Sequence, residues 1–329
     1  MSESPTIPLI ILTGFLGAGK TTILNRVLGA QQRQRVAVLV NELGRIDIDA
    51  GLIRSRAGDV LELSGGCVCH QIGVQRELWS ALDDIVSRSR PDVVVLETTG
   101  IAEPDAIVRG VEEMAAADVS RDGAAIRVAS IVTIVDAEAG LGQLARHDEA
   151  REQVRCADRI LLTKLDRLTP QAEDALVKLH QQLHELNPQA ERVAFPDGEG
   201  GTTGLVAWLL QPAARRSPAP RGRPHAHAHT HQLAAATFVD DAPLLGDALL
   251  LVCEALGDRL VRAKGFVHLA NESRRAFLER AGARTSLTLG DPWGNEPRRT
   301  QLVLIGEDLD DAALQRQLWA CRAPGNSIW

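Results

Sequence analysis

Along residues 8–211, short apolar runs alternate with segments whose apolar positions recur at helical spacing. The runs Leu9–Thr13, Val36–Val40, Val93–Glu97, Ile131–Val135, Ile160–Thr163 and Arg192–Phe195 predict strands. The segments Lys20–Leu28, Val74–Ser89, Pro104–Ala116, Glu149–Cys156 and Pro170–Leu186 predict helices, and in the first of these Ile23, Leu24, Val27 and Leu28 share one face. The opening run, Pro8 to Thr13, is apolar almost throughout, as a strand buried on both faces must be. This alternation predicts an α/β domain whose mostly parallel sheet is covered by helices on both faces.

The pattern stops at residues 212–231, PAARRSPAPRGRPHAHAHTH, which have no apolar period and read as a linker. Beyond it, Ala234–Val239, Leu260–Leu269, Ala283–Leu289 and Thr300–Ile305 predict four strands. Leu244–Leu256 and Leu309–Ala320 predict helices, and Gly290-Asp291-Pro292 predicts a turn. The expected organisation is an α/β domain over 1–211, a linker over 212–231 and a smaller α+β domain over 232–329.

Composition narrows the function. A net charge of −7 disfavours nucleic acid as an electrostatic partner, and 3% aromatics with no Tyr leaves few platforms for stacking bases. There is no basic N-terminal leader and no long apolar segment, so a cytoplasmic protein with no membrane partner is expected. Five cysteines, an odd number, read as free or metal-binding thiols rather than a disulfide framework.

The chemistry sits where strands end. GFLGAGKT at residues 14–21 is a complete P-loop, leaving an apolar strand and opening a helix. Gly14, Gly17, Ala18 and Gly19 let backbone N–H groups turn inward onto phosphate. Lys20 reaches the β- and γ-phosphates, Thr21 offers a hydroxyl to Mg²⁺, Thr22 continues the site, and the helix dipole adds positive potential. Val93–Glu97 is a second apolar strand ending in a carboxylate. There Glu97 is expected to hold Mg²⁺ through water and Gly100 to offer its N–H to the γ-phosphate. The catalytic set expected is therefore Lys20, Thr21 and Glu97. Thr163-Lys164-Leu165-Asp166 follows a third strand in the place where many GTPases read guanine with N-K-x-D. Asp166 is the acceptor for guanine N1–H and the 2-amino group, Lys164 covers the base, and Thr163 stands where asparagine is common.

Ser64-Gly65-Gly66-Cys67-Val68-Cys69-His70 gathers two thiols and an imidazole within four residues. Soft thiolates with imidazole favour Zn²⁺ or a similar transition metal over Mg²⁺ or Ca²⁺. His225, His227, His229 and His231 alternate with small residues, so an extended chain turns them to one side for weak, exchangeable metal binding.

Taken together, GFLGAGKTT, NELG at 41–44, GGCVCH, ETTGIAEP, ADRILLTKLD and KGFVHLA…PWG…LVLIGEDL resemble the CobW-type metallochaperone GTPases, relatives of the GTPases that help load nickel into hydrogenase and urease. The resemblance runs from about residue 7 to residue 321, with its motifs in family order. It implies a P-loop GTPase domain, a smaller C-terminal domain, a metal site between the first two motifs, and metal delivery coupled to slow GTP hydrolysis. Two places depart from the family pattern. His70 stands where the family usually has a third cysteine, and Val40 and Arg45 stand where many relatives carry acidic residues.

The reading is a cytoplasmic GTPase that uses GTP and Mg²⁺ and binds Zn²⁺, or another transition metal such as Co²⁺. It would deliver that metal to a client metalloprotein or cofactor-synthesis enzyme; homo-oligomerisation is left open. Three alternatives remain: an insertase dedicated to one client, such as cobalt in corrin synthesis or nitrile hydratase; a non-enzymatic metal buffer; and, behind these, a small-molecule kinase, for which no separate acceptor pocket is evident.

Overall fold

The structure, a computed structural model, describes residues 6–30, 34–42, 60–64, 72–116, 125–169, 173–195, 199–211, 233–281 and 284–324. The chain divides into two compact units, Met1–Leu43 with Asp49–Arg221 and Gly44–Ile48 with Gly222–Trp329.

In the first unit the chain runs β1 (Thr6–Thr13), α1 (Lys20–Gly29), β2 (Val36–Glu42), β3 (Val60–Ser64), α2 (Ile72–Ser89), β4 (Val93–Glu97) and α3 (Pro104–Ala116). It continues through β5 (Ala125–Asp136), α4 (Gly140–Arg146), α5 (Asp148–Arg155), β6 (Arg159–Thr163), α6 (Glu173–Leu186), β7 (Glu191–Ala194) and α7 (Glu199–Leu210). Among the described residues, seven strands form one sheet in the order β3-β2-β4-β1-β5-β6-β7, every neighbouring pair parallel. This is the parallel α/β architecture that the strand–helix alternation predicts.

β1 lies at the centre, and its side chains divide between two cores because successive residues point to opposite faces. Leu9 and Ile11 pack with Leu78, Leu82 and Ile85 of α2 and with Ile107 of α3. Ile10 and Leu12 pack with Ile23, Leu24 and Val27 of α1 and with Leu205 and Leu209 of α7. Parallel pairing then brings the carboxyl ends of β1, β2, β4 and β6 to one edge. The register sets Glu97 beside Leu12 and Val40, and Thr163 beside Asp136. In open parallel sheets, ligands bind at that edge.

Three elements of this unit were not expected: β3, α4 and α7. α7 opens on Glu199-Gly200-Gly201-Thr202-Thr203-Gly204, a poor helix sequence by propensity. Its helical form is decided by burial of Leu205, Val206 and Leu209 on α1 and the sheet. Its end is also held from outside, because the buried Arg159 of β6 donates to Trp208 O at 2.5 Å and Gln211 O at 2.8 Å.

The second unit contains β8 (Leu233–Asp240), α8 (Gly246–Ala255), β9 (Leu260–Val267), β10 (Arg274–Ala281), β11 (Arg284–Pro292), β12 (Thr300–Glu307) and α9 (Asp311–Trp319). Among the described residues its sheet has five strands in the order β11-β10-β9-β12-β8, all antiparallel. Phe238, Leu249, Leu302, Leu304, Leu314 and Leu318 form its core. Asp310 caps α9 by accepting from the Ala313 N–H at 3.1 Å.

The expectation of four strands here is corrected to five. β10 reads RRAFLERA, rich in helix formers, yet pairing on both sides with β9 and β11 and full burial of Ala276 and Leu278 make it a strand. The expected turn at Gly290–Pro292 is corrected too, since β11 continues to Pro292 opposite Arg274. β11 is an edge strand, so a proline lacking an N–H is tolerated at its end. The 212–231 linker lies outside the described residues. No described helix is long and apolar enough to cross a membrane.

Candidate nucleotide-binding site

The P-loop follows β1 and turns under three glycines with positive φ: Gly14 at 146°, Gly17 at 76° and Gly19 at 100°. Gly14 has no room for a side chain, since a Cβ there would lie 2.3 Å from Ile134 O of β5. The loop is thereby pressed onto the sheet, leaving its amides on the outer side as a cradle for an anion. Lys20 is buried, and its Nζ donates to Gly14 O at 2.7 Å and Phe15 O at 3.4 Å. The ammonium arches back over the loop that a phosphate would fill. Ala18 is buried and Thr22 exposed.

The Thr21 hydroxyl donates to Glu97 Oε1 at 3.0 Å. One oxygen comes from the first turn of α1 and the other from the end of β4, so two distant motifs meet at one point. A hydroxyl beside a carboxylate is an oxygen donor pair suited to Mg²⁺, which takes few protein ligands and keeps several waters. After β4, the buried Gly100 packs directly on the P-loop, and a Cβ there would lie 2.5 Å from Leu16 Cδ2 and 2.8 Å from Leu16 N.

The third motif closes the other side. The Thr163 hydroxyl donates to Ala18 O at 2.7 Å, with Val135 O at 3.3 Å. Lys164 has a left-handed backbone, φ 58°, and its Nζ donates to Gly17 O and to Asp136 Oδ2, each at 2.6 Å. Asp166 is exposed beyond them. Thr163 and Lys164 therefore tie β6 to the P-loop, while the Asp166 carboxylate is left accessible to a ligand.

Asp136 was missed by the motif reading. It ends β5, forms a part-buried ion pair with Lys164, and its Oδ1 accepts from the Glu138 and Ala139 N–H groups at 2.8 and 3.1 Å. An apolar strand ending in a carboxylate was the signal, the same one that marked Glu97. Gln143 and Gln153 were also missed. Gln143 Nε2 lies 3.4 Å from Leu16 O, and Gln153 Nε2 donates to Gly100 O and Ala102 O. Nothing in the local sequence marks two glutamines on short polar helices.

Of the expected metal ligands, Cys67, Cys69 and His70 lie between β3 and α2, outside the described residues, as do His225, His227, His229 and His231. Among the described residues, Asp105, Glu152 and Cys156 bring ligand-type atoms within 4.8 Å of one another. The Cys156 thiol lies 3.7 Å from Glu152 Oε1 as a donor. Burial, then the charges of Asp105 and Glu152, push the thiol far above its usual range, which makes it a protonated donor to the carboxylates rather than a thiolate.

Residues 8–194 match the CobW/HypB/UreG nucleotide-binding domain, and residues 233–322 match the cobalamin synthesis protein cobW C-terminal domain. The chain is 30% identical to the zinc chaperone CobW of Pseudomonas aeruginosa, over 97% of this chain and 92% of that protein. It is likewise 30% identical to the zinc chaperone YjiA of Escherichia coli, over 94% of this chain and 96% of that protein. The crystal structure of Zn(II)-bound YjiA GTPase from E. coli aligns with 97% of this chain and 99% of that chain, at 25% identity and a TM-score of 0.42. With a phosphate-binding edge in its first unit and both domains matched in order, the chain belongs to the CobW/HypB/UreG family.

Proposed function

We propose that the chain is a cytoplasmic GTPase that binds a transition metal, zinc ahead of cobalt, and passes it to a client metalloprotein or cofactor-synthesis enzyme. The observation that carries this reading is the meeting of Thr21 and Glu97 at 3.0 Å beneath the P-loop, on the edge where Asp166 also lies. The near full-length similarity to proteins named zinc chaperones supports the choice of metal.

In this reading residues 1–211 bind and hydrolyse GTP, 212–231 link, and 232–329 form the C-terminal domain. The amides of Gly14, Gly17, Ala18, Gly19, Thr21 and Thr22 hold the phosphates. Lys20 releases its hold on Gly14 O and neutralises the β- and γ-phosphates. Thr21, and Glu97 through water, would hold Mg²⁺, which would supply further positive charge at the phosphate oxygens. Gly100 offers its N–H to the γ-phosphate. Asp166 accepts from guanine, and Thr163 and Lys164 keep its strand against the P-loop. Catalysis then rests on charge stabilisation, in keeping with slow intrinsic turnover.

Cys67, Cys69 and His70 take up the metal as cargo, with two thiolates and an imidazole suited to zinc. Their segment follows Ser64, which pairs with Glu42 of β2 at the phosphate edge of the sheet. Nucleotide state and metal geometry are coupled through that edge. His225, His227, His229 and His231 gather metal weakly ahead of the tight site.

Metal content measured after loading with GDP or a non-hydrolysable GTP analogue tests the proposal. Different zinc affinity in the two states, and one tight zinc lost in the Cys67→Ser/Cys69→Ser variant, are the expected results. Binding should weaken as pH falls, because protons compete for thiolate and imidazole. Unaltered stoichiometric zinc in the double variant would remove these residues as ligands. Zinc affinity indifferent to nucleotide would leave a metal buffer.

A further inference from the structure

Gln153 is fully buried on α5, although a primary amide belongs among the residues most often exposed. Both of its Nε2 protons point into the loop after β4, at Gly100 O and Ala102 O, each 3.1 Å away. Among the described residues its Oε1 has no hydrogen-bond partner. The amide orientation is thus set by two carbonyls alone; turned over, it would aim oxygen at oxygen.

The loop these bonds hold is a tight turn. The Thr99 carbonyl accepts from the Ala102 N–H at 3.1 Å, and the Thr98 hydroxyl lies 3.3 Å from it. A trans peptide directs its N–H opposite to its carbonyl, so fixing Thr99 O also fixes where the Gly100 N–H points. Gln153 closes the same turn from the far side, holding the carbonyls of Gly100 and Ala102 together.

The anchor itself is rigid. The Thr133 hydroxyl of β5 donates to Gln153 O at 2.7 Å. Asn187 Nδ2 donates to Val154 O, Arg155 O and Ala157 O at the end of α5, at 2.9, 3.1 and 2.8 Å. The turn must therefore come to Gln153, not the reverse.

We propose that Gln153 is a positioning residue that fixes the turn Thr99–Ala102 and thereby the direction of the Gly100 N–H, which sets how well the site distinguishes a nucleoside triphosphate from a diphosphate. The inference rests on the nucleotide reading of the site. GDP has no γ-phosphate for Gly100 to meet, so losing Gln153 weakens triphosphate binding selectively.

The test compares Gln153→Met, which keeps volume without donors, and Gln153→Glu, which keeps shape and replaces both donors by a carboxylate. Affinities for GDP and for a non-hydrolysable GTP analogue are measured on the full chain, with kcat and KM for GTP. Two lost hydrogen bonds predict about a tenfold fall in analogue affinity and in kcat, with GDP affinity within about twofold of the unmutated protein. Equal loss for both nucleotides, or no loss for either, would overturn the proposal while leaving the nucleotide reading intact. An unmutated protein that binds neither nucleotide would overturn that reading and this one together. A readout free of any folding defect comes from the unmutated protein, where the Gln153 side-chain amide NMR signals should shift with the analogue and not with GDP. Identical shifts with both ligands would count against the positioning role.

Discussion

Asp166 is exposed one residue beyond Leu165, while its neighbours Thr163 and Lys164 are bonded to the P-loop. In the proposed function the chain thus separates two tasks within four residues: holding the loop and meeting the base. Replacing Asp166 by Ala should leave phosphate contacts alone and erase a preference for GTP over ATP of about a hundredfold, the worth of hydrogen bonds to a charged acceptor. Competition binding with GTP and ATP checks it, and equal affinities in the unmutated protein would defeat the assignment. The P-loop, Glu97 and the TKLD segment were readable because each is a local word, a fixed order of residue types whose chemistry demands that spacing. Asp136 carried the same strand-end signal as Glu97 and was passed over, whereas Gln153 had none, because its partner Gly100 lies 53 residues away.

At the scale of elements, local pattern and tertiary packing disagree in particular places. β1 and β4 are apolar between their ends and could be read directly, as strands covered on both faces. α7 and β10 contradict their propensities. α7 contains three glycines and two threonines before its apolar end, and it persists because Leu205 and Leu209 are wholly buried between α1 and the sheet. Truncating Leu209 to Ala should therefore cost about 2–5 kcal/mol, seen as a lowered denaturant midpoint. A change under about 1 kcal/mol would mean that α7 contributes little to the fold.

For the whole molecule, each unit has its own core, and each contains a thiol kept from water, Cys253 buried in one and Cys156 half-buried in the other. Burial pushes Cys253 up to about 11 against an ordinary value of 9.0, and it pushes Cys156 higher still. The folded state therefore keeps protons that the unfolded chain releases from about pH 9 upward. The native state binds more protons in that range, so stability is complete below pH 9 and falls as pH rises through 11. The chain contains no Tyr, so no phenol adds to this titration. Unfolding free energy should drop by about 1.4 kcal/mol per pH unit for each such thiol. Cys253→Ala should reduce that slope while lowering stability at neutral pH. A pH-independent midpoint between 9 and 11 would contradict the desolvation of both thiols.

The sequence by itself determined the two-part architecture of a parallel α/β unit followed by a smaller α+β unit, and the residue types proposed to meet phosphate, magnesium and base. Those are properties of periods and of short words, and both are local in the chain. Tertiary structure decided what depends on distant residues meeting. It made a strand of RRAFLERA by pairing it on both sides, and a helix of a glycine-rich segment by burying its apolar end. It paired Asp136 with Lys164, and it brought Gln153 to the turn that carries Gly100. A hydrogen bond between residues far apart in the chain leaves no period behind it, and only the folded sheet, with its strands parallel and their carboxyl ends on one edge, brings such partners together.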